Sequence, residues 1–318
     1  MRTLGLLAVL IAAGALPLLV SDYRTFQLTL ALVYAIAILG LNILTGYNGQ
    51  FSLGHGAFYA IGAYTAAFLM AQGEIAYYWT LPVAGLICFG AGFLFGFPAL
   101  RLEGLYLALA TFALAVATPQ ILKSGHLEPL TGGVQGIVIL KPDPPLGLPL
   151  SQDQWLYYFT LLVALVLFVA AWNLLRGRSG RAIKAIRDNP IAASTMGVNL
   201  ALYKTLSFGI SAFYTGVAGA LGAIVIQFVA PDSFTVFLSI TLLVGLVVGG
   251  LASIPGAIFG GLFVQCVPNF AEQISKAAPW ASYGAFLIAF MYLMPYGVWG
   301  LLRTLHWRLR EIRQRRSA

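Results

Sequence analysis

Charged residues are spaced along this chain so as to leave eight long stretches without a single Asp, Glu, Lys or Arg: 3–21, 25–73, 75–100, 104–122, 154–175, 205–231, 233–271 and 277–302. A helix rising 1.5 Å per residue needs ~20 residues to cross ~30 Å of hydrocarbon. Stretch 25–73 holds 49 residues and 233–271 holds 39, room for two crossings each, while each of the others has room for one. The pattern therefore predicts ten transmembrane helices, near 4–20, 26–45, 56–71, 80–98, 104–122, 155–175, 205–226, 236–252, 256–272 and 281–301. The expected fold is all-α, a polytopic helical bundle forming one membrane domain over 1–318.

Composition makes the membrane the only comfortable solvent. Of 318 residues, 60% are hydrophobic and 9% charged, against about 25% charged in an ordinary soluble domain. A water-facing surface cannot be covered at that level, and mean hydropathy is +0.87. A soluble enzyme or a nucleic-acid binder is excluded despite the net charge of +8. The excess is explained by its placement, because cytoplasmic loops of membrane proteins concentrate Lys and Arg. With both termini cytoplasmic, 14 basic residues fall inside and four (Arg24, Lys123, Lys141 and Lys276) outside. The opposite orientation would reverse that ratio. The first segment resembles a signal peptide, with Arg2, an apolar run and Ala13-Gly14-Ala15, but its apolar run is longer than a typical signal h-region. Retention as a span is expected.

The spans are informative for what they omit. None carries a charge at its centre, where ion-coupled transporters and pumps usually hold their coupling ion. No phosphate-cradling G-x-x-x-x-G-K-[ST] loop occurs, nor a Ser-His-Asp, HExxH or CxxC constellation. Cys88 and Cys266 lie in apolar runs without metal-ligand spacing. Catalytic residues, a metal site and a cofactor in this chain are therefore not expected. What remains is a passage across the bilayer, powered from another subunit or not powered at all.

One substantial cytoplasmic loop, 176–204, breaks the apolar pattern. Arg181, Lys184 and Arg187 recur every three residues beside Ile183 and Ile186, predicting a short amphipathic helix with a basic stripe. Asn189 is a good N-cap, Pro190 suits the first helical position and Gly197 suits the residue after the end. Between them run Ile191, Ala192, Ala193, Ser194, Thr195 and Met196, nearly two turns whose alanines let another surface approach closely. A plain topology anchor would need the charge but not the capped helix. A docking element for a cytoplasmic partner accounts for both.

At this point the sequence resembles a family. Ala192-Ala193-x-x-x-Gly197 resembles the coupling-loop motif of bacterial ABC importer permeases, E-A-A-x-x-x-G, with Ile191 in place of the Glu. More closely, Ala185-Ile-Arg-Asp-Asn-Pro-Ile-Ala-Ala193 with Gly197, Lys204, Ser211 and Ala218-Gly219 resembles the branched-chain amino acid permeases. So do the blocks 46–58 with 62–64, 100–111, 131–137 and 249–256, in the family's order. The resemblance implies a heterodimer with a second, homologous permease, two cytoplasmic ATP-binding subunits and a periplasmic solute-binding protein. It places the chain in the bacterial inner membrane, and it implies ATP on the partners and a docking role for 189–197. Ala115-Val116 stand where close relatives often carry an acidic or amide residue. Urea, short amides and aromatic or other carboxylates thus remain alternatives to branched-chain or related hydrophobic amino acids, and a facilitative channel without ATPase is the alternative mechanism.

Two glycine-rich runs interrupt the spans. Thr45 to Gly56 is too polar for a lipid-facing helix; it is either irregular backbone lining a cavity or a cytoplasmic hairpin turn. Gly249 to Gly256 is the second, and at an offset of 200 Gly49, Gly56 and Ala57 coincide with Gly249, Gly256 and Ala257. Paired breaks in two halves mark transport pathways in other folds. Candidate solute contacts are Asn42, Asn48, Gln50, Ser52, His55, Tyr59, Thr111 and Gln227, all neutral donors or acceptors suited to steering a zwitterion; interhelical hydrogen bonding is the plainer role for each. The small residues Gly56, Gly62, Gly216, Gly219, Gly222, Gly256, Gly260 and Gly261 are expected to serve close helix packing. The external segment 123–154, with five prolines, is expected to be an ordered, non-helical loop, either a receptor contact or a connector. Trp155, Tyr157 and Tyr158 are expected to form an interfacial belt, and 303–318 a basic tail at the inner leaflet.

Overall fold

A computed structural model of the chain describes residues 13–102, 104–145, 149–274, 284, 286–290, 292, 294 and 296–304. Most of the expected first span (4–20), a third of the last (281–301) and nearly all of the basic tail lie outside the described residues. Helices dominate. In order they are α1 (Asp22–Leu41), continued by a π-helical turn (Asn42–Tyr47), α2 (His55–Ala71), α3 (Tyr77–Ala99), α4 (Leu105–Leu122), α5 (Glu128–Thr131), α6 (Gln152–Arg176), α7 (Arg178–Asp188), α8 (Pro190–Thr195), α9 (Leu200–Ile226), α10 (Val236–Gly249) and α11 (Ile254–Ile274). Among the described residues five helices are long and apolar enough to cross a membrane: α1 with its π-turn, α3, α4, α6 and α9; α10 and α11 contain shorter apolar stretches.

Burial divides these helices into an inner pair and a periphery. The apolar windows of α1 and α9 are 83% buried, against 28–39% for α3, α4 and α6. A helix that is apolar all round is at home in a core, and α1 has no charge between Thr25 and Tyr47. Helix α9 wins its central place differently, through small residues that let backbones touch. A Cβ on Gly62 of α2 would lie inside the Gly216 carbonyl of α9, and one on Gly219 would meet the Tyr59 carbonyl. The same holds for Gly261 against Ala31, Gly260 against Gly245, and Gly256 against Gly249. The packing role expected of these glycines is thus present.

Two expectations need correction. Residues 236–252 do not form one helix of the expected length. Helix α10 has 14 residues, ~21 Å at 1.5 Å per residue. Before it, Phe234 packs on Tyr59 and Tyr64, and within it Ser239 Oγ accepts from the Gly56 N–H. Nor is 123–154 wholly non-helical. It holds α5, and strand β1 (Ile137–Val138) pairs antiparallel with β2 (Phe228–Val229). Gly136, at φ +74°, turns the chain where a side chain would strike the Val229 carbonyl.

The tyrosines at the start of α6 do more than mark an interface. The Tyr157 and Tyr158 hydroxyls each donate at 2.9 Å to the carbonyls of Ala13 and Gly14, in a helical segment over 13–19. Trp155 Nε1 donates to the Tyr77 hydroxyl at 3.1 Å. Helix α6 itself opens with a capping box between Ser151 and Gln154.

Candidate functional site

The π-turn at the end of α1 is where the candidate polar residues converge. Asn42 opens it, fully buried. Its Nδ2 donates to the Ser253 carbonyl at 2.7 Å, and its Oδ1 accepts from the Ala252 N–H at 2.9 Å. One side chain thus ties the first glycine-rich break to the second. Each break contains a glycine at positive φ, Gly49 (φ +78°) or Gly250 (φ +115°), and ends in a new helix, α2 or α11, although Gly249, the residue paired with Gly49 in sequence, is still helical.

The first break is knitted to its surroundings. Thr45 Oγ1 donates to the Gln50 carbonyl at 3.0 Å and Asn48 Nδ2 to Gln50 Oε1 at 2.7 Å. Asn48 Oδ1 is buried without a hydrogen-bond partner. The Leu53 N–H donates to Thr111 Oγ1 at 2.9 Å. His55, the first residue of α2, is held on both ring nitrogens, by Ser52 Oγ at 3.1 Å and Ser211 Oγ at 2.6 Å. Ser211 spends its one hydroxyl hydrogen on the Gly40 carbonyl at 2.6 Å. Its oxygen must therefore accept from His55 Nε2–H, which leaves Nδ1 to accept from Ser52. Both ring nitrogens are then satisfied.

These contacts place the break within the bundle, not beyond it. Thr111 lies six residues into α4 and Ser211 eleven into α9, ~9 and ~16 Å along their axes. Of the eight candidate solute contacts, Asn42, Asn48, Gln50, Ser52, His55 and Thr111 gather here, each at most 7% exposed. Tyr59 sits one turn further along α2 with its hydroxyl against Gly222. Gln227 stands apart: it is the left-handed C-cap of α9, and its carbonyl accepts from the Ile139 N–H at 2.8 Å. Beyond Thr111, Ala115 is buried and Val116 half exposed.

Sequence reasoning did not single out Ser239 or Ser253, named Ser211 only in passing and placed Arg187 in a basic stripe, yet all four hold the breaks. Arg187 Nη1 donates to the Gly46 carbonyl at 2.7 Å. The signal available was a lone hydroxyl within an apolar helix, which in lipid must find a partner. Ser211→Ala is expected to destabilise the chain by about 1–3 kcal/mol, because it orphans both His55 Nε2–H and the Gly40 carbonyl. Thermal unfolding in detergent should show the loss. Thr65→Ala should leave the midpoint nearly unchanged, since that hydroxyl only bonds back to Ile61 in its own helix.

The segment 176–204 folds as its residues suggest. Asn189 Oδ1 accepts from the Ala192 N–H at 3.0 Å, Pro190 begins α8, and Gly197 follows it at φ +82°. Ala193 is buried against the body of the protein, whereas Ile191 is 76% and Met196 85% exposed. Ala192, Ser194 and Thr195 are exposed as well.

The family described as branched-chain amino acid transport system / permease component matches residues 23–295. The high-affinity branched-chain amino acid transport system permease protein LivM of Escherichia coli K12 is 34% identical over 95% of this chain and 76% of its own length. LivM of Salmonella typhimurium is 32% identical over the same shares. LivH of Salmonella typhimurium is 26% identical over 86% of this chain and 92% of its own. No solved structure matches.

Proposed function

The chain belongs to the branched-chain amino acid transport permease family, and we propose that it works as one half of the membrane passage of an ATP-driven importer in the bacterial inner membrane. It is a permease subunit of an amino acid importer, not an enzyme. In this proposal ten spans place both termini in the cytoplasm. Two ATP-binding subunits dock from below, a second, homologous permease completes the passage, and a periplasmic solute-binding protein delivers the solute. Branched-chain or related hydrophobic amino acids are the proposed cargo. The neutral groups of Asn48, Gln50, Ser52, Tyr59 and Thr111 would steer the zwitterion weakly, as transit requires, once the breaks move apart.

The observation that carries the proposal is α8, a six-residue helix capped at both ends whose apolar Ile191 and Met196 point away from the protein. Two bulky apolar side chains exposed on a charged cytoplasmic segment call for a covering partner. Ala192→Arg and Met196→Asp alter only exposed positions, so membrane insertion should be normal. ATP-driven uptake by the complex reconstituted with its partners should fall by about tenfold or more, as when an interface anchor is lost. Solute flux through the purified chain alone, without ATP, would instead establish a facilitative channel.

A further inference from the structure

Helix α8 touches the rest of the protein on few sides, and the route from it to the breaks is short. Helix α7 ends at Asp188, and Asn189 caps α8. Ile183 and Ile186 are buried at 0% and 3% exposure, which seats α7 firmly against the bundle. Lys184 donates to the Leu175 carbonyl at 3.0 Å and lies 5.6 Å from the Tyr47 ring centroid. Arg187, one residue before the end of α7, reaches the π-turn of α1 through the Gly46 carbonyl.

Why Gly46 needs a donor is plain. The break halts α1, so the last carbonyls of the helical run lose their partners further along the chain. They also carry the negative end of the helix dipole, where a cation is favourable. Arg187 supplies both the hydrogen and the charge, with Asp188 Oδ1 3.6 Å from its Nε. The turn closes over the stem of the same side chain: a Cβ on Gly49 would come within 3.0 Å of Arg187 Cγ. Gly46 in turn has no room for a side chain, because Asn42 and the Ala252 N–H fill the space. From the docking helix to both breaks the contacts therefore run α8, Arg187, Gly46, Asn42, Ala252–Ser253.

We infer that Arg187 is the residue that makes the paired breaks move with the docking helix, its guanidinium clipping the end of α7 to the Gly46 carbonyl. The inference rests on the importer function proposed above. Arg187 is a positioning residue. Its guanidinium acts on the backbone of the break, and the stem packed by Gly49 keeps that contact when α7 shifts. Its side chain is 42% exposed, so the clip is partly solvated and can be remade within a cycle.

The test compares Arg187→Met and Arg187→Lys in the full complex, reconstituted in lipid vesicles, by solute taken up per ATP hydrolysed. Met keeps the stem and loses the donor; Lys can still donate to the carbonyl. For Met, ATP hydrolysis should stay within about twofold of the unaltered complex while uptake per ATP falls about fivefold or more, the size expected when a coupling contact is lost. Lys should recover at least half of the ratio. An unchanged ratio with Met overturns the inference. So does equal loss of hydrolysis and uptake in both variants, or failure of Met to assemble with its partners, since either result would make Arg187 a structural cap. If the unaltered complex itself shows no ATP-dependent uptake, the importer proposal falls. A normal unaltered complex with a normally coupled Met variant removes only the clip.

Discussion

Gly62→Leu is expected to abolish assembly of the helix bundle. The first carbon of the new side chain would already overlap the backbone of Gly216, and what it meets is carbonyl, carbonyl carbon and Cα rather than the end of a side chain that can swing away. Helix α9 cannot retreat, because Gly216 itself is pressed against Cys88 and Ala84 of α3 on its other side. Overpacking typically costs 1–3 kcal/mol and more when backbone must shift. Against a total stability of about 5–15 kcal/mol, separating two inner helices leaves little. Membrane fractions should contain little folded chain, and what is extracted should elute as aggregate. Gly62→Ala should be impaired less, and Gly90→Leu should be tolerated, since nothing lies within 4 Å of a Cβ at Gly90. Normal yield and a single sharp elution peak for Gly62→Leu would mean that α2 and α9 do not meet at this point.

How far such contacts can be read from sequence depends on their range. The caps of α8 are local: Asn189, Pro190 and Gly197 act within a few residues of where they stand, and their chemistry announces the helix. Glycine clusters likewise announced close packing, because few other reasons place so many in an apolar helix. The partners of those glycines were not legible. Nothing near Asn42 indicates that its amide is held 210 residues away by Ala252 and Ser253. Long sequence separation likewise hid Ser239 and the contact of Arg187 with Gly46. Polarity alone grouped Gln227 with His55, although one caps the end of α9 and the other opens α2. Hydropathy located α10 but not its length, because an apolar stretch buried in protein needs the same residues as one facing lipid.

The break nevertheless could be located, since a run as polar as Thr45–Gly56 has to be satisfied somewhere. What the structure adds is that satisfaction comes from opposite sides. Helix α4 gives Thr111, α9 gives Ser211, α10 gives Ser239 and the amphipathic helix α7 gives Arg187. Four separate elements therefore bear on one irregular stretch of backbone. Displacing any of them removes a hydrogen bond that lipid cannot replace, which makes the stretch a natural place for two discrete arrangements.

Asn42→Leu is expected to uncouple the two breaks and to abolish transport. Leucine fills nearly the same volume but leaves the Ala252 N–H and the Ser253 carbonyl without their partner, at about 1–3 kcal/mol for each buried group. A further term concerns Ala252, which has φ +56°, a left-handed conformation that costs an L-residue roughly 1–2 kcal/mol. The hydrogen bond from its N–H to Asn42 is positioned to hold it there. Without that bond the second break should relax to an ordinary conformation and draw away from Gly46. Ala252→Gly alone removes the strain and should be neutral or slightly stabilising. Combined with Asn42→Leu it should lower the thermal midpoint by less than Asn42→Leu does alone, because no strained residue remains to be released. A cycle of these variants, read by thermal unfolding in detergent and by uptake in the reconstituted complex, separates the two contributions. If Asn42→Leu unfolds at the same temperature as the unaltered chain and transports normally, the amide is not what joins the halves, and the breaks move independently.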